Sequence, residues 1–120
     1  MLTRYSQIKP FITKDNSEIR ELMHPDIHGN AKLSVAEATV SVGSETARHK
    51  HLLTEEIYHI MDGKGLMRLG DELFEVNSGD SICIVPGTVH NIKNIGDVPL
   101  KILCSCSPPY SDSDTDLVNV

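Results

Sequence analysis

Two histidines stand two residues apart in the stretch HKHLLTEEIYHIMDG, residues 49–63, and a pair of glutamates follows them. Residues two apart on a β-strand share one face, so His49 and His51 are expected to point the same way. A further histidine, His90, follows a Gly-Thr-Val turn in VPGTVHNIKN, a place from which a side chain can point into the mouth of a barrel. Three neutral imidazoles and the carboxylate of Glu56 would form a nitrogen and oxygen site that suits a divalent transition metal and leaves positions for water or substrate.

The period of two along a β-strand predicts which neighbours of Glu56 face the site and which face away from it. On a strand that turns Glu56 inward, Tyr58 lies on the same side, where its hydroxyl is a candidate catalytic or substrate-binding group. Filling the core is the simpler role for a buried tyrosine. Glu55 is the alternative ligand, but the period places it on the outer face. The same period turns His59 away from the site, toward the surface or a dimer interface. The sequence reveals no further catalytic acid or base.

Two other patterns in the sequence resemble possible sites. The three cysteines, Cys83, Cys104 and Cys106, do not form a disulfide framework, and their odd number argues against one. Cys104 and Cys106 share a strand face and are expected to be small buried hydrophobes, with a soft metal ligand or redox thiol as the alternative. The run DSDTDL, residues 112–117, resembles the start of a calcium loop. It lacks glycine at the sixth position and ends too early, so we reject a calcium site.

Short strands at regular spacing are expected to position these residues. Runs rich in β-branched residues end at turn signals such as DGKG, NSGD and GDVP. The predicted strands lie within residues 33–43, 55–61, 66–76 (a hairpin), 81–85, 90–96 and 100–106. This pattern favours an all-β antiparallel sandwich or barrel. The segment SEIREL, 17–22, is open between an extra strand and a short helix. The C-terminal SPPYSDSDTDLVNV is expected to be a surface arm or a partly ordered tail.

Composition limits the classes of function. The 120 residues suit one domain, and with 39% hydrophobic residues and no Trp the core must be aliphatic. A formal net charge of −6 argues against a broad surface for nucleic acid or anionic membranes. The N-terminus lacks the apolar stretch of a signal peptide, and no run is long enough to cross a bilayer. We therefore expect a cytoplasmic protein without nucleic-acid or membrane partners.

Two sets of residues resemble the two motifs of the cupin family. The first has the family's order and spacing and consists of Gly43, His49, His51, Glu56 and Gly63. The second consists of Gly79, Pro86, Gly87, His90 and Asn94. It departs from the family pattern at Val85, where the pattern has proline, and the adjacent proline keeps a stiff turn. The resemblance to small single-domain cupins extends over residues 33–106.

The resemblance implies an antiparallel jelly-roll barrel of roughly six to eight strands with a metal ion inside. Carried over position by position, the ligands are His49, His51, Glu56 and His90. The cofactor would be one divalent transition metal, with Mn or Fe favoured and Ni, Zn, Cu and Co as alternatives. Residues 1–30 would form an N-terminal arm or strand, 31–107 the barrel and 108–120 the tail. Cupins of this size commonly dimerise, so a homodimer is expected.

The ligand set alone does not fix the reaction, since cupins with these ligands include dioxygenases, oxalate decarboxylases and sugar-phosphate isomerases. Our leading hypothesis is a metal-dependent enzyme that acts on a small oxygen-rich molecule by oxidation, decarboxylation or isomerisation. The alternative is a metal-loaded module that binds or senses a small ligand without turnover, and a purely structural metal is the third hypothesis. Arg20 and Arg68 are the remaining candidates for an anion clamp. Without such a clamp, a phosphorylated sugar is a weaker substrate hypothesis.

Overall fold

Two antiparallel sheets form the fold. The computed structural model describes residues 1–119. Within them the strands are β1 (Phe11–Ile12), β2 (Glu18–Met23), β3 (Ser34–Val40), β4 (His49–His51), β5 (Glu55–Asp62), β6 (Lys64–Leu69), β7 (Glu72–Asn77), β8 (Ser81–Ile84), β9 (His90–Asn94), β10 (Leu100–Ser107) and β11 (Thr115–Leu117). The other elements are the helix α1 (Pro25–His28) and two 3₁₀ turns (Tyr5–Gln7 and Asp112–Asp114).

The strand order is β1-β2-β3-β10-β5-β8 in the first sheet and β11-β4-β9-β6-β7 in the second. Every neighbouring pair is antiparallel. The prediction of an all-β antiparallel jelly-roll is therefore confirmed. Within the described part of the chain, no helix has the length and apolar character that crossing a membrane requires.

The core lies between the two sheets, because alternate residues of each strand turn inward. Along β10 the buried positions are Leu100, Ile102, Cys104 and Cys106. This strand occupies the middle of the first sheet, paired with β3 on one side and β5 on the other. Cys104 packs within the aliphatic core cluster. The predicted burial of the two cysteines on one strand face is thus what the structure has.

The last residue of each motif fixes the barrel rather than lining the site. Gly63 has a φ of 93°, and a Cβ there would lie 3.0 Å from the backbone of β10. Asn94 is fully buried, and its Nδ2 donates to the carbonyls of Val40 and Val98 at 2.9 and 2.8 Å. Its Oδ1 accepts from the backbone N–H of Gly96 at 2.9 Å. These two motif positions are therefore explained by backbone geometry and by buried hydrogen bonding.

The N-terminal segment joins the first sheet. The stretch SEIREL, for which the sequence allows a strand or a short helix, forms most of β2 and pairs with β3. Ile19 packs against the core. Arg20, one candidate for an anion clamp, contacts Glu37 at 3.8 Å and donates to the Tyr5 hydroxyl at 2.9 Å. Its guanidinium is thus engaged by Glu37 of β3 and by Tyr5 of the N-terminal segment.

The C-terminal segment differs from the surface arm or partly ordered tail that its composition predicts. It ends in β11, which pairs with β4 so that Thr115 lies opposite His51 and Leu117 opposite His49. Thr115 is only 1% exposed. The polar composition was misleading because backbone pairing and a buried hydroxyl, rather than apolar side chains, hold the segment. Strand β11 therefore forms an edge of the second sheet, beside the strand that carries two candidate ligands.

Candidate metal centre

Two paired strands bring the three predicted histidines together. His49 and His51 lie on β4 with their side chains buried, while Lys50 between them is half-buried. His90 begins β9 and lies directly opposite His49 in the antiparallel pair. One ring nitrogen from each of the three histidines lies within 4.8 Å of the others. The period-two prediction for His49 and His51 is therefore confirmed, and His90 joins them from the neighbouring strand.

Two of the three imidazoles are held in a tautomer suited to binding a metal. The Nδ1 atom of His49 bonds the carbonyl of Ala47 at 2.8 Å, and that of His90 bonds the carbonyl of Thr88 at 3.0 Å. A carbonyl only accepts, so in each ring Nδ1 carries the proton and Nε2 of the neutral ring has a free lone pair. The Nε2 atom of His90 is buried and has no hydrogen-bond partner among the described residues. A buried lone pair of this kind is free to bind a cation or to accept a hydrogen bond from a bound group.

His51 is fixed in the same way by the C-terminal strand. The Thr115 hydroxyl donates to the carbonyl of Ser111 at 2.9 Å, so it accepts from Nδ1–H of His51, also at 2.9 Å. Thr115 is a candidate site residue that sequence reasoning missed. The two partners are 64 residues apart, and nothing in the local pattern of the polar tail indicates the contact.

Glu56 provides the carboxylate of the site. Its Oε1 lies 3.1 Å from Nε2 of His51 and 3.6 Å from Nε2 of His90, and its Oε2 accepts a hydrogen bond from the thiol of Cys106 at 3.3 Å. Burial by itself raises the pKa of Glu56, but the neighbouring imidazoles of His51 and His90 outweigh it and bring the pKa to about 2. The side chain is therefore an anion at neutral pH. Because Nδ1 of His51 already donates to Thr115, Nε2 meets this anion either as a second donor or across a bound cation.

Burial also keeps His49 in the neutral form. Desolvation lowers the pKa of His49 below its ordinary value of 6.5, and the neighbouring His90 lowers it further, while Asp15 and a backbone hydrogen bond act in the opposite direction. A neutral imidazole is the form that binds metals. The electrostatics thus agree with the hydrogen bonds on the state of this ring.

The site opens into a cavity between the sheets. The cavity volume is about 50 Å³, which is more than one water molecule needs. Its walls combine small aliphatic and polar side chains from both sheets and from both chain ends. The lining residues are Thr13, Asp15, Ser17, Ile19, Glu21, Ser34, Ala36, Ala38, His49, His51, Glu56, Tyr58, Cys104, Cys106, Tyr110 and Thr115.

The remaining candidate residues point into or away from the cavity as the period of two predicts. Tyr58 points inward and lines the cavity, with its ring centroid 5.9 Å from that of His90. Burial, followed by the charge of Glu56, raises the pKa of Tyr58 well above its usual value, so its hydroxyl keeps its proton. Glu55 is exposed on the outer face. His59 is turned away from the cavity and bonds Ser81 on the neighbouring strand at 2.8 Å.

The second residue that sequence reasoning missed is Asp15. It lies in the turn between β1 and β2, and its Oδ2 is 3.6 Å from Nε2 of His49. The two positions are 34 residues apart in the sequence, so no local motif reveals this contact. In contrast, Arg20 and Arg68 do not belong to the cavity lining.

Taken together, these donors fit a divalent transition metal. Three imidazole nitrogens converge with their opposite nitrogens already bonded, and a buried carboxylate lies beside two of them. Imidazole and carboxylate are ligands of intermediate to hard character, suited to first-row divalent ions.

Comparisons with known proteins bear on the family. Residues 36–106 match the family model of the Cupin domain. An uncharacterized protein of Methanocaldococcus jannaschii, MJ1618, is 59% identical over 116 residues, which is 97% of this chain and 93% of that protein. A solved structure from Thermotoga maritima, described as a predicted oxalate decarboxylase, has a TM-score of 0.79 and 25% identity, covering 90% of this chain and 99% of its own. The polyketide cyclase RemF from Streptomyces resistomycificus has a TM-score of 0.83 and 20% identity over 100% of this chain and 87% of its own, a likeness of fold alone.

Proposed function

The chain belongs to the cupin family, and we propose that it is a metal-dependent enzyme acting on a small oxygen-rich molecule by oxidation, decarboxylation or isomerisation. The observation that carries the proposal is the convergence of three buried imidazole nitrogens whose opposite nitrogens are already hydrogen-bonded. A merely structural cluster of histidines has no need to leave a buried nitrogen without a partner, as His90 does here.

We propose that one divalent ion is held by His49, His51, His90 and Glu56, with Mn or Fe favoured. Three imidazoles and one carboxylate form a donor set intermediate between the sulfur sites of soft metals and the all-oxygen sites of Mg²⁺ and Ca²⁺. When bound, such an ion acts as a Lewis acid toward a carbonyl or carboxylate oxygen.

The protein's own groups would bind and shield the ligand. The apolar side chains of Ile19, Ala36 and Ala38 line the same cavity as the histidines. A molecule bound there would contact these side chains instead of bulk water. Tyr58, whose hydroxyl keeps its proton, would donate a hydrogen bond to an oxygen of the ligand. A cavity of about 50 Å³ favours a substrate of only a few non-hydrogen atoms. Oxalate-like decarboxylation joins the reactions to screen because of the likeness to the Thermotoga maritima structure.

Metal content is the first test. Protein purified without chelator or His-tag is expected to carry about one equivalent of Mn or Fe by mass spectrometry, and His51→Ala and Glu56→Ala are expected to lose it together with any activity. His59→Ala is the matched control, because His59 is on the same strand as Glu56 but bonds Ser81 away from the cavity. This variant should keep both metal and activity.

Two results would overturn the proposal. Activity that survives complete loss of metal would remove the metal from the mechanism. Recovery of every screened small molecule unchanged from metal-replete protein, in assays of oxygen uptake, decarboxylation and isomerisation, would favour a module that binds without turnover.

A further inference from the structure

The turn between β1 and β2 holds Asp15 in one orientation. Its Oδ1 accepts three hydrogen bonds, from the Thr13 hydroxyl at 2.7 Å, from the Ser17 backbone N–H at 3.0 Å and from the Ser17 hydroxyl at 2.6 Å. These bonds occupy one side of the carboxylate and leave Oδ2 facing the histidines. The side chain is only 13% exposed. Asp15 is therefore a fixed, nearly buried carboxylate rather than a flexible loop residue.

The turn is hydrogen-bonded to two segments beside the site, one just before β4 and one at β11. The carbonyl of Asp15 accepts from the backbone N–H of Ala47 at 2.8 Å, just before β4. On the other side, Lys14 Nζ donates to the carbonyls of Thr115 at 2.7 Å and Asp112 at 3.3 Å. The turn thus bridges the strand that carries two histidines and the strand that carries Thr115. This bridging keeps the carboxylate against the cavity.

The contact between Asp15 and His49 joins two electron-rich atoms. Since Nδ1 of His49 donates to the carbonyl of Ala47, Nε2 of the neutral ring presents a lone pair to Oδ2 of Asp15 at 3.6 Å. The same relation holds between Nε2 of His90 and Oε1 of Glu56, also at 3.6 Å. Two such atoms are stable at this distance when a cation lies between them.

We propose that Asp15 is a second carboxylate ligand of the metal ion held at the three histidines. The inference rests on the proposed metal centre and extends it to the N-terminal turn. Three nitrogens and two carboxylate oxygens would complete five of the six positions that Mn²⁺ or Fe²⁺ prefers, leaving one for an exogenous ligand. Two carboxylates would also neutralise a divalent ion. The added oxygen donor favours harder ions over Zn²⁺ and Cu²⁺.

The test is metal affinity of Asp15→Asn, measured on apo protein by competition with a chromophoric chelator for Mn²⁺ and Co²⁺. Asparagine keeps an oxygen for the turn and can donate its amide N–H to Nε2 of His49, so the metal-free variant should melt no lower than wild type. Its affinity for Mn²⁺ should fall by about tenfold or more, and the visible absorption of the Co²⁺ form should change because a ligand is lost.

Glu21→Gln is the matched control for charge. Glu21 lines the same cavity, whereas within residues 1–119 the histidine nitrogens that approach a carboxylate do so at Asp15, Asp26 and Glu56. The control should bind Mn²⁺ like wild type and give the wild-type Co²⁺ spectrum. Glu56→Gln serves as the positive reference for a lost ligand.

The outcomes separate this inference from the proposed function. Loss of affinity and an altered Co²⁺ spectrum in Asp15→Asn, but not in Glu21→Gln, support ligation by Asp15. Wild-type affinity in Asp15→Asn beside weakened Glu56→Gln overturns this inference and leaves the metal centre intact. An equal loss in Asp15→Asn and Glu21→Gln, with an unchanged spectrum, also overturns it, because charge alone would then explain the effect. No metal binding by wild type would overturn both.

Discussion

Replacing Thr115 by Val tests whether the C-terminal strand controls the metal-binding state of His51. The Thr115 hydroxyl accepts from Nδ1–H of His51 and donates to the carbonyl of Ser111, both at 2.9 Å. Valine keeps the shape of the side chain but leaves a buried N–H and a carbonyl without their partner. A buried polar group left unpaired costs about 1–3 kcal/mol, and the Ser111 carbonyl lies in a half-buried segment. The free energy of unfolding of the metal-free protein should therefore fall by about 2–3 kcal/mol.

The loss of metal affinity in Thr115→Val is a separate effect. Without its acceptor, the ring of His51 is free to carry its proton on Nε2, the nitrogen that faces Glu56, and a protonated nitrogen cannot bind a metal. Removal of a hydrogen-bond partner behind a metal ligand typically weakens metal binding about 10–100-fold. We expect a change in this range for Mn²⁺ or Co²⁺, measured by chelator competition on protein shown by circular dichroism to be folded.

Thr54→Val provides the comparison. Thr54 is 2% exposed, against 1% for Thr115, and its hydroxyl donates to the carbonyl of Pro108 at 2.9 Å, where no candidate ligand is involved. Urea unfolding should show a loss of about 1–2 kcal/mol for this variant, with the metal affinity of wild type. Wild-type affinity in Thr115→Val, or an equal loss of affinity in Thr54→Val, would refute the reasoning.

Two further predictions concern acidity and thiol access. The fold lowers the pKa of His49 below 6.5, so the unfolded chain takes up this proton first and the metal-free protein should lose stability as the pH falls below 6.5. The pKa of Glu56 is about 2 against an ordinary 4.5, so the stability that this carboxylate contributes is present above pH 4.5 and is lost as the pH falls toward 2. Urea unfolding of the metal-free protein across this pH range, in the presence of chelator, checks the predictions for His49 and Glu56. A free energy of unfolding that does not change with pH would contradict both predictions. Cys83 is exposed while the other two cysteines are buried. A thiol reagent should therefore label one cysteine in the native protein and all three in denaturant. Rapid labelling of more than one cysteine in the native protein would contradict the burial of Cys104 and Cys106.

Local pattern was enough for the parts of the site that lie on single strands. His49 and His51 share a face because they are two apart, and Glu56 and Tyr58 turn inward by the same rule, as the burial of β4 and β5 shows. The strand pattern likewise predicted the barrel. His90 was predicted both from its position after the Gly-Thr-Val turn and from the resemblance to the second motif.

Contacts between segments that are far apart in the chain could not be predicted from the sequence. Asp15 meets His49, and Thr115 meets His51, only after β2 and β11 have paired with their neighbours. Both residues lie in polar segments that lack hydrophobic periodicity, and for the C-terminal segment the composition predicted a surface arm or tail. The physical reason is that these segments are held by backbone pairing and polar side chains, which leave no mark in a one-dimensional hydrophobic pattern.

The charge of the cavity limits what it can bind, and one pair of molecules tests this limit. Within residues 1–119 the lining includes the carboxyl groups of Asp15, Glu21 and Glu56 and no Lys or Arg. Arg20 is engaged with Glu37 outside it. A phosphate group brings about −1.5 to −2 charges and would be desolvated there without a guanidinium or ammonium partner.

We therefore expect 2-phosphoglycolate to bind Co²⁺-loaded protein at least about tenfold more weakly than glycolate, a difference of about 1.4 kcal/mol. The Co²⁺ absorption band reports both titrations, and glycolate should shift it first. The metal ion would be the one cation available to an anionic ligand, which favours neutral molecules and monoanions over phosphorylated sugars. Equal or tighter binding of 2-phosphoglycolate would show that a basic side chain reaches the cavity in the loaded protein, and sugar phosphates would then return as substrates.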